Sequence, residues 1–280
     1  MKGVVQILHG IAEYVERYDD FACHLNRLGY VVVAEDHMGH GKSIQGGSTQ
    51  GYFTGGWFTA TEDCLTLLHL TRLEYPGVKY FLFGHSMGSF LCRTILARYP
   101  DLMLDGAIIC GTGWMNGMVL TAGRTAANAV CKNKGDRYPS KTLNTMIFGG
   151  YNGKVEHPRT THDWLSRDNR IVDAYVADPL CGFVPAAGLL RDMMLGMLYI
   201  QRKESLEAMP KELPVLFIAG GDDPVGGYGK GVREAAQKFC DVGMKRVSCK
   251  IYPMMRHEIL NELNRGDVYN DVAAWLNAQQ

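Results

Sequence analysis

The chain has 280 residues, 46% of them apolar, which is enough to bury a core of native size in one large domain or two small ones. Its 29 Lys and Arg balance 29 Asp and Glu, so there is no global electrostatic attraction for nucleic acid or another polyanion, and that function class is demoted at once. Thirty-three glycines, about 12% where roughly 7% is usual, have no collagen-like period and imply tight turns and close backbone approaches.

Met1-Lys2-Gly3 leads straight into a short apolar run at 4–8 with no signal-peptide pattern, which predicts a cytoplasmic product. Eight scattered cysteines without C-x-x-C spacing read as reduced thiols, not as a disulfide framework or a zinc site. The most apolar long stretch, 183–200, contains Pro185, Arg191 and Asp192 and is too interrupted to span a bilayer.

Strands are predicted at 4–8, 30–34, 80–83, 107–110, 215–219 and 247–252. Most are nearly all apolar, as strands covered on both faces are. Helices are predicted at 17–28, stopped by Gly29, at 61–74, stopped before Pro76-Gly77, and at 86–98, 231–240 and 267–277. The alternation implies parallel βαβ units, hence an α/β fold with a sheet of about six strands and helices on both faces. It breaks after Gly111 and resumes at Pro214. Residues 1–111 and 214–280 therefore form the core, and 112–213 a helical, glycine-rich insertion with seven of the fourteen methionines. Emerging at the strands' carboxyl ends, where such sheets bind ligands, the insertion is read as a cap.

Tyr80 to Phe83 is followed by Gly84-His85-Ser86-Met87-Gly88 and then a helix, the context that makes G-x-S-x-G a nucleophile elbow. A sharp strand-to-helix turn would crowd any Cβ at Gly84 and Gly88, while lifting the Ser86 hydroxyl clear of the sheet at a helix N-terminus. Serine needs a base oriented by a carboxylate, in the chain order Ser, acid, His. His257 lies just past the last strand. Asp222 and Asp223 both follow the strand 215–219, and spacing leaves the choice between them open. Of two backbone N–H donors for an oxyanion, one belongs to Met87; the other is expected in the loop after 4–8, with Ile11 as donor and Gly10 allowing close approach. His37 and His40 are three apart, but no carboxylate or cysteine set completes a metal site in the sequence, and His85 reads as a residue that packs or hydrogen-bonds within the elbow.

These stretches together resemble the monoacylglycerol lipase and lysophospholipase group of α/β-hydrolases, the serine aminopeptidase-type family. The likeness runs through His9-Gly10, Glu13 and Arg17-Tyr18, Asp36-His37 with Gly39 to Ser43, the elbow, Asp178 to Cys181, Gly220 to Val225, and His257-Glu258. It implies an α/β-hydrolase fold, Ser86 as nucleophile, Asp223 as acid, His257 as base, and Ile11 and Met87 as oxyanion donors. Ala12 departs from the glycine usual there, and Ser89 from a glycine common after the elbow.

The implied chemistry is ester hydrolysis through an acyl-enzyme, with no cofactor or metal. Met193, Met194 and Met197 recur at helical spacing and suit a flexible acyl chain, although packing of the cap explains any one of them equally well. Nine Lys or Arg against four Asp or Glu at 124–170 offer a transient contact with a membrane surface, and keep lysophospholipid as an alternative to a monoacylglycerol-like ester. Further alternatives are an aminopeptidase-type amide hydrolase and, on weaker grounds, a non-catalytic receptor. Family members usually have an antiparallel pair before the strand at 4–8. Its absence predicts a bare edge at 30–34, explained by a homodimer through that edge or by a start site upstream.

Overall fold

A computed structural model describes residues 1–44 and 48–280. In chain order the elements are β1 (Gly3–Leu8), α1 (Asp19–Arg27), β2 (Tyr30–Ala34), α2 (Trp57–Glu74), β3 (Tyr80–His85), α3 (Met87–Arg98) and β4 (Gly106–Cys110). Then come α4 (Gly117–Lys134), α5 (Lys141–Phe148), α6 (Asn169–Ala177), α7 (Ala187–Ile200) and α8 (Lys203–Ala208), followed by β5 (Val215–Gly220), α9 (Lys230–Asp241), β6 (Val247–Tyr252) and α10 (Arg265–Asn277).

The six strands pair in the order β2-β1-β3-β4-β5-β6, all parallel. Their two-residue period sorts the core into two layers. Val5, Ile7, Phe81, Phe83, Leu216 and Ile218 point to the side covered by α1 and α10. Val4, Leu8, Leu82, Phe217 and Ala219 point to the side covered by α2, α3 and α9. Four of the strands are buried throughout, while the edge strand β6 exposes Ser248, Cys249 and Lys250 and reads accordingly as a mixed sequence. β2 is the other edge, with β1 alone beside it among the described residues.

Gly29 ends the first helical segment at a φ of 91°, as its position predicts. α2 starts four residues before the expected Thr61. No Ser, Thr, Asp or Asn caps it; instead Gly56 turns the chain at φ 82°, and the Trp57 indole anchors the first turn by donating to Thr94 Oγ1 at 3.0 Å. Between β4 and β5, α7 is buried along most of its length against α4, α3 and α2. Gly196 permits this, because a Cβ there would lie 2.1 Å from the Trp57 ring. The loops that follow β1, β3, β5 and β6 all emerge at one end of the parallel sheet, under this inserted segment.

Candidate active site

β3 ends at His85 and α3 begins at Met87, so Ser86 alone turns the chain, at φ 54° and ψ −119°. That is a strained conformation for a residue with a Cβ. It is imposed from both sides by glycines whose added Cβ would have no room: 2.4 Å from the Gly88 carbonyl oxygen at Gly84, and 2.0 Å from the Leu8 carbonyl oxygen at Gly88. The Ser86 N–H donates to Cys110 O at 3.0 Å, tying the turn to β4. The Ser86 hydroxyl makes no capping bond to α3, so it is not spent on holding the helix. The Met87 N–H is the first of the helix's unpaired donors. Ser89, where the family often has glycine, donates its hydroxyl to the Ser86 carbonyl at 2.5 Å.

His257 and Asp223 arrive on the loops after β6 and β5. Asp223 is fully buried; its Oδ1 accepts from Val225 N–H at 2.8 Å and its Oδ2 lies 3.0 Å from His257 Nδ1. Asp222 is exposed and points its N–H to Met255 O. Of the two carboxylates that spacing leaves open, Asp223 is thus the one that meets the histidine. The bond holds the proton on Nδ1 and leaves Nε2 as the basic ring nitrogen. Ser86 and His257 line one cavity.

The loop after β1 closes the site. A Cβ on Gly10 would lie 3.1 Å from Ser86 Cβ, so the backbone passes directly by the Ser86 side chain. His9 Nε2 accepts from His37 N–H at 2.9 Å, which leaves its Nδ1 to donate to Gly10 O at 2.7 Å. In a trans peptide the Ile11 N–H points opposite to that carbonyl, away from His9. Ile11, Met87 and Ser86 all line the cavity.

Beneath this loop Glu13 acts as a hub. It accepts from Gly10 N–H at 2.5 Å, Tyr18 Oη at 2.7 Å and Arg17 Nη1 at 2.8 Å, and lies 3.3 Å from His85 Nδ1. Arg17 also forks onto both oxygens of Glu258, at 2.6 and 2.7 Å, next to His257. Burial alone would raise the Glu13 pKa, but the bond to His85 and the charge of Arg17 pull it well below the usual carboxylate range. Burial opposes protonation of His85, yet Glu13 raises its pKa above the ordinary 6.5. His85, expected to pack or hydrogen-bond within the elbow, thus also pairs with Glu13 and joins the elbow to the loop after β1.

The cavity holds about 1150 Å³. Met193, Met194 and Met197 line it from α7 and are also packed in the core. Phe90, Leu120, Gly123, Phe148 and Phe183 extend that apolar lining. Glu13, Glu258, His162 and Tyr175 gather on a polar side, where Tyr175 stacks on Arg17 and donates to Ala12 O at 2.9 Å. Trp164 lies 5.1 Å from the His257 ring and its carbonyl accepts the His257 N–H. Neither Trp164 nor Tyr175 carries a signal in the sequence: Trp164 sits in a single short turn, and Tyr175 is one of several apolar residues of α6.

His37 and His40, behind His9, are buried. Burial, with His9 nearby, drives His37 well below its ordinary pKa and His40 down to about 3, so both are neutral imidazoles. Glu35 and Cys64, separated from His37 by 2 and 27 positions, lie close to it, a carboxylate and a thiol that spacing along the chain does not bring together.

Residues 1–264 match the serine aminopeptidase S33 family. The chain belongs to that family. A monoacylglycerol lipase of Mycolicibacterium smegmatis is 30% identical over 282 residues, covering 98% of this chain and 88% of that protein. Mouse monoglyceride lipase is 29% identical over 224 residues, which span 79% of this chain and 65% of the mouse protein. The crystal structure of a thermostable carboxyl esterase from Bacillus coagulans, in complex with glycerol, superposes with a TM-score of 0.91 at 32% identity, covering 99% of this chain and 90% of that one. This S33 member is an α/β-hydrolase and a carboxylic ester hydrolase. No helix among its described residues is long and apolar enough to cross a membrane.

Proposed function

We propose that this chain hydrolyses monoacylglycerol-like esters through Ser86, His257 and Asp223, with residues 112–213 acting as the cap over the acyl chain. The observation that carries the reading is Ser86 at φ 54°, its hydroxyl uncommitted, in one cavity with a histidine already bonded to a buried carboxylate. His257 Nε2 takes the proton as Ser86 Oγ attacks the ester carbonyl, and returns it to the leaving alkoxide. Asp223 holds the imidazole and stabilises its charge. Met87 and Ile11 N–H groups receive the oxyanion, and water then resolves the acyl-enzyme by the same route.

The lining favours a neutral headgroup. No Lys or Arg is among the cavity's described lining residues, which disfavours a phosphate and with it a lysophospholipid. Glu13 and Glu258 are both paired to Arg17, so neither carboxylate is left to hold the free amine that an aminopeptidase recognises. Glycerol hydroxyls, able to donate and accept, match the side lined by His162 and Tyr175. The basic excess at 124–170 is partly consumed inside the molecule, by Arg159 with Asp173, Arg167 with Glu262 and Arg170 with Asp168. Exposed Met115, Val119 and Met146 belong to the cavity lining as well, so they form an apolar rim suited to a lipid surface.

Ser86→Ala is expected to abolish hydrolysis of a medium-chain monoacylglycerol and labelling by a fluorophosphonate, with the melting temperature retained. Turnover that persists in that variant removes Ser86 from the chemistry. Faster cleavage of aminoacyl anilides or lysophosphatidylcholine than of the monoacylglycerol by the unaltered protein removes the substrate assignment.

A further inference from the structure

On the far side of His9 from the nucleophile lies a second group of reactive side chains that hydrolysis does not use. Val31 and Val33 of β2 pack toward α2, and the alternation of the strand carries Glu35 onto that same face just beyond its end. α2 presents Cys64 there, one turn after Ala60, and the chain leaving β2 returns His37 to it. One donor atom from each of Glu35, His37 and Cys64 lies within 4.8 Å of the other two. His37 Nδ1 is 4.0 Å from Cys64 Sγ. Cys64 and His37 are buried, whereas Glu35 reaches partly to solvent.

This is an awkward set to bury on packing grounds alone. Glu35 Oε1 and His37 Nε2 are shielded from solvent with no hydrogen-bond partner, and such groups are costly. A dication would change the balance: with one thiolate and one carboxylate its complex is neutral, the charge state that a partly buried site tolerates best. Thiolate, imidazole and carboxylate together select borderline-soft transition cations over magnesium or calcium, and four-coordinate zinc takes all three ligand types.

We propose that Glu35, His37 and Cys64 form a binding site for a zinc-class divalent cation, with water completing a tetrahedron on the solvent side of Glu35. The Cys64 thiol loses its proton to solvent as the Sγ–metal bond forms, and the imidazole and carboxylate bind unprotonated. A modest closing of the three side chains brings donor atoms from their present spacing to a common ion. The site is coupled to the catalytic loop, because the His37 N–H bonds to His9, and His9 in turn holds the Gly10 carbonyl beside Ile11. Metal that draws in His37 therefore pulls on the peptide that aims the oxyanion donor, and zinc lowers ester turnover.

Cobalt(II) titration of the whole chain tests this without relying on activity. One equivalent of Co²⁺ is expected to give a thiolate-to-cobalt charge-transfer band with the visible bands of a tetrahedral ion, and zinc is expected to bleach both. Cys64→Ser removes the charge-transfer band, and Glu35→Gln weakens cobalt affinity about tenfold or more, as loss of a ligand-shell partner does. Because Cys23, Cys240 and Cys249 are exposed thiols, a variant with all three changed to Ser is the control that does not depend on a core substitution: it retains the band. Absence of any band in the unaltered protein, its survival in Cys64→Ser, or its loss in the triple variant overturns the site. Zinc that binds there without changing ester turnover overturns the coupling.

Discussion

On the sheet side of the cavity the reacting groups are held by backbone that admits one residue type. On the insertion side the walls are interchangeable apolar side chains. Gly84, Gly88 and Gly10 each sit where a Cβ would strike neighbouring atoms, while Met193, Met194 and Met197 fill space with three rotatable bonds apiece. Chemistry and selectivity are thus specified separately. A small backbone shift removes the first, whereas the second is tuned by volume. Breaking the comparison therefore starts at the elbow. Gly88→Ala places a methyl 2.0 Å from the Leu8 carbonyl oxygen, a contact with backbone that no rotamer relieves. Moving β1 away would carry His9 and Gly10 with it. The expected cost is about 3 kcal/mol or more, seen as loss of soluble folded protein or a large fall in melting temperature; near-native stability would show that the turn has more slack than its geometry indicates.

The next effect is electrostatic. Glu13→Gln keeps an oxygen for Gly10 and Tyr18 but strips the charge facing Arg17 and His85. Breaking a buried pair from one side costs about 3 kcal/mol. The pH dependence carries a more specific mark. His85 has a raised pKa in the fold, so its contribution is complete below 6.5 and is lost as pH rises through the raised value. Glu13 has a lowered pKa, so its contribution is complete above 4.5 and is lost as pH falls through the lowered value. Both are present in full between those limits. Thermal melts from pH 6 to 9 are expected to show alkaline destabilisation in the unaltered protein and a flatter profile in Glu13→Gln. Equal slopes would mean that the His85–Glu13 pair does not titrate in this range.

The same division explains what could be read in the sequence. The six strands and the helices between them follow from short apolar runs and glycine or proline stops, Ser86 from a turn that only glycines allow, and His257 from its place just past the last strand. Spacing alone leaves Asp222 and Asp223 open, since both follow β5; the family resemblance implies Asp223, and its Oδ2 lies 3.0 Å from His257 Nδ1. Trp164 and Tyr175 were illegible because their contacts with His257 and Ala12 bridge 93 and 163 positions, and no local pattern marks which residue of α6 or of the turn before it reaches the site. Cys64 and Glu35 were hidden for a similar reason: neighbours across a strand–helix contact have no common pattern along the chain.

On the insertion side the expected effect is a shift in preference. A Cβ on Gly123 would lie 2.8 Å from Met194 Sδ, the mobile end of a flexible side chain, so Gly123→Val folds but narrows the apolar side of the cavity. Removing room for two methylenes costs about 1.6 kcal/mol, roughly fifteenfold in kcat/KM for long acyl chains. p-Nitrophenyl acetate, which does not reach that wall, keeps its rate. A proportional loss for both esters would place Gly123 outside the acyl path.

The smallest effect lies where the two sides meet. Ala12 occupies a glycine's place in the family pattern, and the structure shows why glycine suits it: its φ is 55°, in the left-handed region. Its carbonyl accepts from Tyr175 Oη at 2.9 Å and from Gly182 N–H at 3.0 Å, so two groups of the insertion hold the oxyanion loop in that conformation. A left-handed alanine costs about 1 kcal/mol relative to glycine, while glycine loses some of that gain through its freer unfolded chain. Ala12→Gly is therefore expected to raise stability by a few tenths of a kcal/mol at most, measurable as a slightly higher denaturant midpoint at unchanged m-value. Its kinetic consequence separates two ideas of the loop. If the Tyr175 and Gly182 bonds fix the oxyanion donor, kcat is unchanged, because the glycine is clamped as the alanine was. A fall in kcat with unchanged KM would mean that the methyl group itself stiffens Ile11, and that this chain uses alanine's strain where its relatives rely on the clamp.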